Sequence, residues 1–373
     1  MALSGGVDSA VAAALLKQKG YEVRGVFMRQ FELFDIDPKY VALMKCSQDE
    51  DRESAQAAAQ ALGIPFEVWD FRNIYHKKVV EYVFAEYKEG RTPNPDCMCN
   101  TYVKFGAFLD RAKKEKADFI ATGHYVRKSM SSRAIRLRQS ADGAERNPEK
   151  SPVYNLTIAQ DTNKDQSYFL YSLTQKQLKH CLFPLGNLTK GEVRAIAKKI
   201  NLPNWNKKDS QGICFVGDVP MREFLRARIP PKEGPVITTD GKVIGTHQGA
   251  AYYTIGQRHG LGLPGGDLPY YVARIDIKKN TLIVARGETH PALFKKELRC
   301  KKVHWISGSA SKKPFSCRAR IRYRQPLQQC HVSLGEKKGI YNVYFSKPQR
   351  AVTSGQVVVF YQGTTMLGGG IIA

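Results

Sequence analysis

At 373 residues the chain exceeds one ordinary hydrophobic core and calls for two or three domains. Its 42% hydrophobic and 25% charged residues are an ordinary globular balance, and no apolar run approaches the roughly 20 residues of a membrane span, which excludes a spanning helix. Lys and Arg outnumber Asp and Glu by 58 to 34, a net charge of +24 suited to a polyanionic partner.

In chain order, "MALSGGVDSA" opens on a Gly-rich turn, and "DSAVAAALLKQKG" predicts a helix stopped by Gly20. A strand follows in "YEVRGVFM", a helix in "DEDRESAQAAAQALG" and a strand in "PFEVWDF". Further helices are expected from Ile74 to Glu89 and from Lys104 to Lys116, then a strand in "DFIATGH". This alternation predicts an α/β fold with a doubly wound parallel sheet. Residues 128–151, rich in Ser, Arg, Asn and Glu, read as an exposed excursion. After about residue 205 the texture changes to short β-forming runs: "AAYYTIG", "PYYVARID", "TLIVARG", "CRARIRYR", "IYNVYFS" and "QVVVFYQG". They predict an all-β, barrel-like half. From residue 277 onward 18 Lys or Arg face three Glu, so +15 of the net charge sits in the last quarter, as a nucleic-acid surface would have it. Nothing at the start resembles an export or import leader, so cytoplasm is expected, or the mitochondrial matrix in a eukaryote. Eight scattered cysteines lack a small-domain disulfide spacing and read as reduced thiols.

Three stretches carry chemistry. A Gly-rich turn entering a helix gathers free N–H groups at the positive end of the helix dipole, which is a phosphate site. "SGGVDS" is neither a Walker A loop nor the dinucleotide G-x-G-x-x-G. It resembles the pyrophosphate loop of enzymes that split ATP to AMP and pyrophosphate. In "GRTPNPDCMCN" (90–100) the two prolines predict an extended, rigid loop that presents side chains, with Asp96 three residues before Cys99 as a proton shuttle. Taken singly, Cys99 is more often a small buried hydrophobe, and C-x-C without further ligands is weak zinc spacing. In "KKDSQGICFVG" (207–217), Lys207 and Lys208 can favour the thiolate of a nearby cysteine. Cys99 and Cys214 on two loops facing one ATP site suggest sulfur chemistry.

With "ATGHY" (121–125), "KDQSYFL" (164–170), "FPLG" (183–186), "YYTIGQRHGLG" (252–262) and "RIRYRQ" (320–325), these stretches make the chain resemble, over essentially its whole length, the tRNA-specific 2-thiouridylase family. The resemblance implies an ATP-pyrophosphatase domain (1–205), a small central β-rich domain (206–276) and a C-terminal basic β-barrel that binds tRNA (277–373). It implies that ATP, with Mg²⁺, meets Ala2, Leu3, Ser4, Gly5, Gly6, Val7, Asp8, Ser9, Met28 and Gly123. It makes Cys99 the nucleophile, Cys214 the persulfide carrier and Asp96 the proton-transfer group. Asn94, Pro95 and Asp96 would hold the target base, while His124, Lys164, Asp165, Gln166, Arg322, Tyr323 and Gln356 would contact tRNA. The implied partners are tRNAs for lysine, glutamate and glutamine and a sulfur relay fed by a cysteine desulfurase, with no membrane. Three departures stand out. No five-residue strand fits ahead of Ser4, so the start is truncated or the first strand is unusually short. The family's Asn-Trp after "GVFM" is replaced within "RQF" (29–31), and position 97, usually apolar, is a cysteine that could exchange disulfides or help to hold an iron–sulfur cluster. Another ATP-pyrophosphatase, making 4-thiouridine or lysidine, or a non-catalytic tRNA-binding protein, would share parts of this pattern.

Overall fold

The computed structural model describes residues 1–31, 48–131, 152–209, 221–263, 267–311 and 313–373. Cys46 and Cys214 lie outside the described residues. Among the described residues no helix is long and apolar enough to cross a membrane.

The first helix, α1 (Val7–Gln18), is an Ala- and Leu-rich segment of high helix propensity, and eight of its residues are buried. It is followed by β1 (Gly25–Arg29), α2 (Gln48–Ala61) and β2 (Phe66–Asp70). Two longer helices come next, α3 (72–88) and α4 (95–114). Each widens to π-helical geometry, at His76–Val80 and Cys99–Ala107 respectively. Then come β3 (Ile120–Ala121), β4 (Arg127–Ser131), β5 (Val153–Thr157), α5 (Gln175–Lys179), β6 (Cys181–Leu182) and α6 (Lys190–Lys199).

Met1–Leu3 complete the parallel sheet. Ala2 bridges Val26 in parallel, Leu3 N–H donates to the Val26 carbonyl at 2.8 Å, and Ala2 N–H donates to the Ala121 carbonyl at 2.9 Å. The three residues, each at most 9% exposed, therefore form the middle strand, and the order across the sheet is β6, β3, 1–3, β1, β2. The chain winds outward on one side through β1 and β2, then on the other through β3 and β6. Its switch point lies between residues 1–3 and β3, where open α/β sheets bind ligands at the carboxyl ends of their strands.

Of the extended loop expected over 90–100, residues 91–94 are non-helical, with Asn94 extended, while 95–100 are the start of α4. Asn94 is its N-cap, accepting from Cys97 N–H at 3.1 Å, and Pro95 takes the first helical position, where a missing N–H has no cost. Cys97 and Cys99 are consequently both fully buried.

The central unit holds α7 (Met221–Arg226) and a four-stranded sheet of β7 (Gly234–Thr238), β8 (Val243–His247), β9 (Tyr270–Asp276) and β10 (Thr281–Arg286), in the order β8, β7, β10, β9. Hydrogen bonds hold β10 to both β7 and β9, so this sheet runs past the expected division at 276/277. "AAYYTIG" is not a strand: Ala250–Tyr252 form a 3₁₀ turn.

The last strands are β11 (Phe294–Trp305), β12 (Phe315–Arg320), β13 (Gln328–Leu334), β14 (Tyr341–Arg350), β15 (Val357–Gln362) and β16 (Thr365–Ile372). Pairing of β11 with β16 closes them into a six-stranded barrel. The hairpin β4–β5 attaches to β16 through Thr157 and Thr365. Residues 128–131 of the expected excursion thus belong to a strand, and 132–151 lie outside the described residues. One hydrophobic cluster runs from Met28, Cys99 and Tyr168 through Val272 to Val357 and Tyr361, so the units share a core.

Candidate active site

The loop 4–9 leaves the middle strand at the switch point. Gly5 has φ +76°, and a Cβ there would stand 2.2 Å from the Asp51 carbonyl oxygen. The Gly5 carbonyl accepts from Ser54 Oγ at 2.8 Å and Asn204 Nδ2 at 3.0 Å. Ser9 closes the turn: its Oγ accepts from Ser4 N–H at 3.2 Å and donates to the Gly6 carbonyl at 3.0 Å. Gly6, the N-cap of α1, offers no side-chain cap, so the first N–H groups of α1 remain for a ligand. Ala2, Leu3 and Val7 lie buried beneath the loop, and Met28 is buried on the neighbouring β1. Gly123 faces the loop from across the switch point, and a Cβ on it would lie 2.9 Å from Ser9 N.

A charge cluster flanks this turn. Asp8 accepts from Tyr125 Oη at 2.7 Å and pairs with Lys190 Nζ at 2.6 Å. Asp209 pairs with Lys164 at 2.5 Å, Lys190 at 2.8 Å and Arg194 at 3.2 Å. Burial alone would raise the Asp209 carboxyl, but hydrogen bonds from Lys164 and Lys190 hold it at about 2. Lys207 pairs with Asp51 at 2.7 Å, so it braces the loop's neighbour. Lys190, Asn204 and Ser54 carried no motif by which sequence reasoning would have singled them out.

Cys99 reaches the same end of the sheet from α4. Its thiol donates to Gln30 Oε1 at 3.3 Å, directly after β1, and Gln30 is itself buried. Cys97 sits two residues earlier and points elsewhere on the helix; burial, then the Asp96 carboxylate, pushes its thiol well up, away from thiolate. Asp96 and Pro95 are half-buried in the first turn. His124 is buried and shares a 2.8 Å hydrogen bond with Thr122 Oγ1; burial, then Lys104, pushes its pKa well below the usual value.

The residues expected to touch tRNA are scattered and mostly occupied. Asp165 is 1% exposed, accepts from Ala159 N–H, Ser167 N–H and Ser167 Oγ, and pairs with Arg320 at 3.2 Å. Gln166 accepts from Tyr125 N–H. Arg322 donates to the carbonyls of Arg350 and Ala351, and Tyr323 packs on Phe169 with ring centroids 4.7 Å apart. Gln356 meets the segment just ahead of α4, donating to the Thr92 and Pro93 carbonyls at 3.0 and 3.1 Å.

An iron–sulfur cluster takes three or four thiolates, but no group of three His, Cys, Asp or Glu able to hold a metal occurs among the described residues. Mg²⁺ needs only one or two carboxylates alongside phosphate oxygens, and Asp8 beside the loop suits that lesser demand.

Three family models match in succession: a tRNA methyl transferase HUP domain over residues 1–218, a tRNA methyl transferase PRC-barrel domain over 222–286 and an aminomethyltransferase beta-barrel domain over 295–372. The tRNA-specific 2-thiouridylase MnmA of Francisella tularensis subsp. holarctica is 44% identical over 374 residues, covering 99% of this chain and 97% of its own. The namesake from subsp. novicida matches with the same identity and coverage. Among solved structures, NMN synthetase from Francisella tularensis aligns with a TM-score of 0.32 and 14% identity over 56% of this chain and 64% of its own, too slight a likeness to carry weight.

Proposed function

The chain belongs to the tRNA-specific 2-thiouridylase family, and from that premise we infer that it is an ATP-dependent sulfurtransferase that thiolates the 2-position of a uridine in tRNA. The observation that carries this reading beyond family membership is the meeting of a pyrophosphate-type loop and a buried cysteine at one sheet end: loop 4–9 at the switch point, and the Cys99 thiol on Gln30 beside it.

The uridine 2-carbonyl oxygen is a poor leaving group. It attacks the α-phosphorus of ATP, and pyrophosphate departs into the N–H groups of loop 4–9 and α1, with Lys190 near at hand to offset its charge. Mg²⁺, when bound, would neutralise phosphate charge, with Asp8 as the residue to face it. Sulfur arrives as a persulfide on Cys214. The Cys99 thiolate attacks the Cys214 Sγ, forming the Cys99–Cys214 disulfide and expelling the outer sulfur as hydrosulfide. Hydrosulfide displaces AMP from C2, so AMP leaves with the former carbonyl oxygen. An external dithiol reduces the disulfide before the next turnover. Asp96, three residues before Cys99, takes the thiol proton. We assign the wobble uridine of lysine, glutamate and glutamine tRNAs as substrate, a desulfurase-fed relay as sulfur donor and the cytoplasm as compartment on the resemblance alone.

Nucleoside mass spectrometry of tRNA from a strain lacking the enzyme, complemented in turn with each variant, tests the reading. Wild type restores 2-thiouridine, Cys99→Ser and Cys214→Ser do not, and Cys99→Ser still accumulates persulfide on Cys214. Wild-type 2-thiouridine from Cys99→Ser would sink the disulfide mechanism, and 4-thiouridine or lysidine in its place would sink the assignment.

A further inference from the structure

Residues 92–94, which lead into α4, are gripped by both of the other units. From the barrel, the Ser354 carbonyl accepts from Thr92 N–H at 2.9 Å, and Gln356 Nε2 donates to both the Thr92 and Pro93 carbonyls. Asn94 Nδ2 makes a long 3.5 Å hydrogen bond to Gln356 Oε1, while its own Oδ1 caps Cys97 N–H. From the central unit, Thr254 Oγ1 lies 3.0 Å from Thr92 Oγ1. The fit is close: Gly355 has φ +91°, and a Cβ on it would stand 2.8 Å from the Thr92 carbonyl oxygen.

We propose that the barrel turn 354–356 positions the catalytic helix α4, with Gln356 as a positioning residue that sets Asp96 and Cys99 through Thr92, Pro93 and Asn94. A glutamine amide has two N–H donors, and both are committed to backbone carbonyls of this segment. An unsatisfied buried carbonyl is costly, so the amide is held where it is. The barrel is thereby more than a tRNA platform: the same unit that meets RNA fixes the entry to the helix bearing the nucleophile. The catalytic role of α4 rests on the function proposed above; the mechanical role of the turn does not.

The test separates positioning from RNA contact. In Gln356→Leu, the single-turnover rate of 2-thiouridine formation at saturating tRNA, where any loss of affinity is masked, should fall roughly ten- to a hundredfold, the usual penalty of slight misplacement. Iodoacetamide should alkylate Cys99 faster in the free variant than in the free wild-type protein, read by peptide mass spectrometry with no tRNA or ATP present. Thr254→Val, a milder cut into the same junction, should move both readouts the same way and serves if Gln356→Leu does not fold. Weakened tRNA binding with an unchanged saturated rate would overturn the proposal, and so would unchanged Cys99 alkylation in both variants. A wild-type protein that makes no 2-thiouridine would defeat the functional reading, yet the alkylation comparison would still decide the mechanical one.

Discussion

His124 stands against Phe105, with ring centroids 5.7 Å apart, and next to the switch-point glycine; it is held neutral there. Its folded pKa lies below the ordinary 6.5, so as pH falls beneath that value the unfolded chain takes up a proton that the folded chain refuses. Stability should therefore drop as pH falls below 6.5, and His124→Asn should flatten that part of the curve. Urea unfolding of both proteins across this range measures the difference, and identical slopes would place the proton elsewhere. A neutral imidazole can hydrogen-bond RNA but cannot pair with phosphate, which narrows what the resemblance assigns to this residue. Arg322 is narrowed in the same way, because its guanidinium already serves the carbonyls of Arg350 and Ala351.

Among the elements, loop 4–9 is the most legible. Two glycines, two serines and an aspartate ahead of an Ala-rich helix specify the turn almost by themselves, because only glycine sits comfortably at φ +76° against the Asp51 carbonyl. Gly5→Ala should abolish tRNA-dependent pyrophosphate release while the remaining fold survives; unchanged release would remove the loop from the chemistry. In the segment 90–100 the expected extended chain stops at Asn94 and a helix takes over at Pro95. Two prolines suggest extended chain, but Asn94 immediately before Pro95 is also a cap followed by a favoured first helical residue, and local sequence does not decide between them. Packing decides, by burying Cys97 and Cys99 in the common core. The middle strand was harder still, because three residues carry no periodicity; their strand character comes from neighbours on both sides that lie 23 and more residues away. "AAYYTIG" has the composition of a strand, yet Gly249 at φ +149° turns the chain into a 3₁₀ turn ahead of Tyr253.

At the level of the whole molecule, the buried pair Asp165–Arg320 ties the nucleotide-binding unit to the barrel, its side chains 1% and 7% exposed. Removing one partner strands the other without water, so Asp165→Ala should cost roughly 3–5 kcal/mol. Thermal or denaturant unfolding reads the loss, and a near-neutral variant would mean that Arg320 finds water. The sequence marked Asp165 only through its motif, since a buried charge and an exposed one look alike in a string of letters. The basic excess of the barrel was plain in the sequence, and Lys295, Lys296, Lys302, Lys337, Lys338 and Lys347 are exposed on it. If they meet phosphates, log affinity for tRNA should fall linearly with log salt, by about 0.7 to 0.9 per phosphate neutralised. Salt-insensitive binding would leave the charge to solubility alone.

The turn 354–356 also has a place in time. A ribosome makes it after every strand except β15 and β16, long after loop 4–9 and Cys99 have emerged. A nascent chain, or one cut short by an early stop, can therefore hold loop 4–9 and Cys99 without the contact that seats the helix bearing that cysteine. The segment that seats the cysteine-bearing helix is thus among the last parts of the molecule to be made.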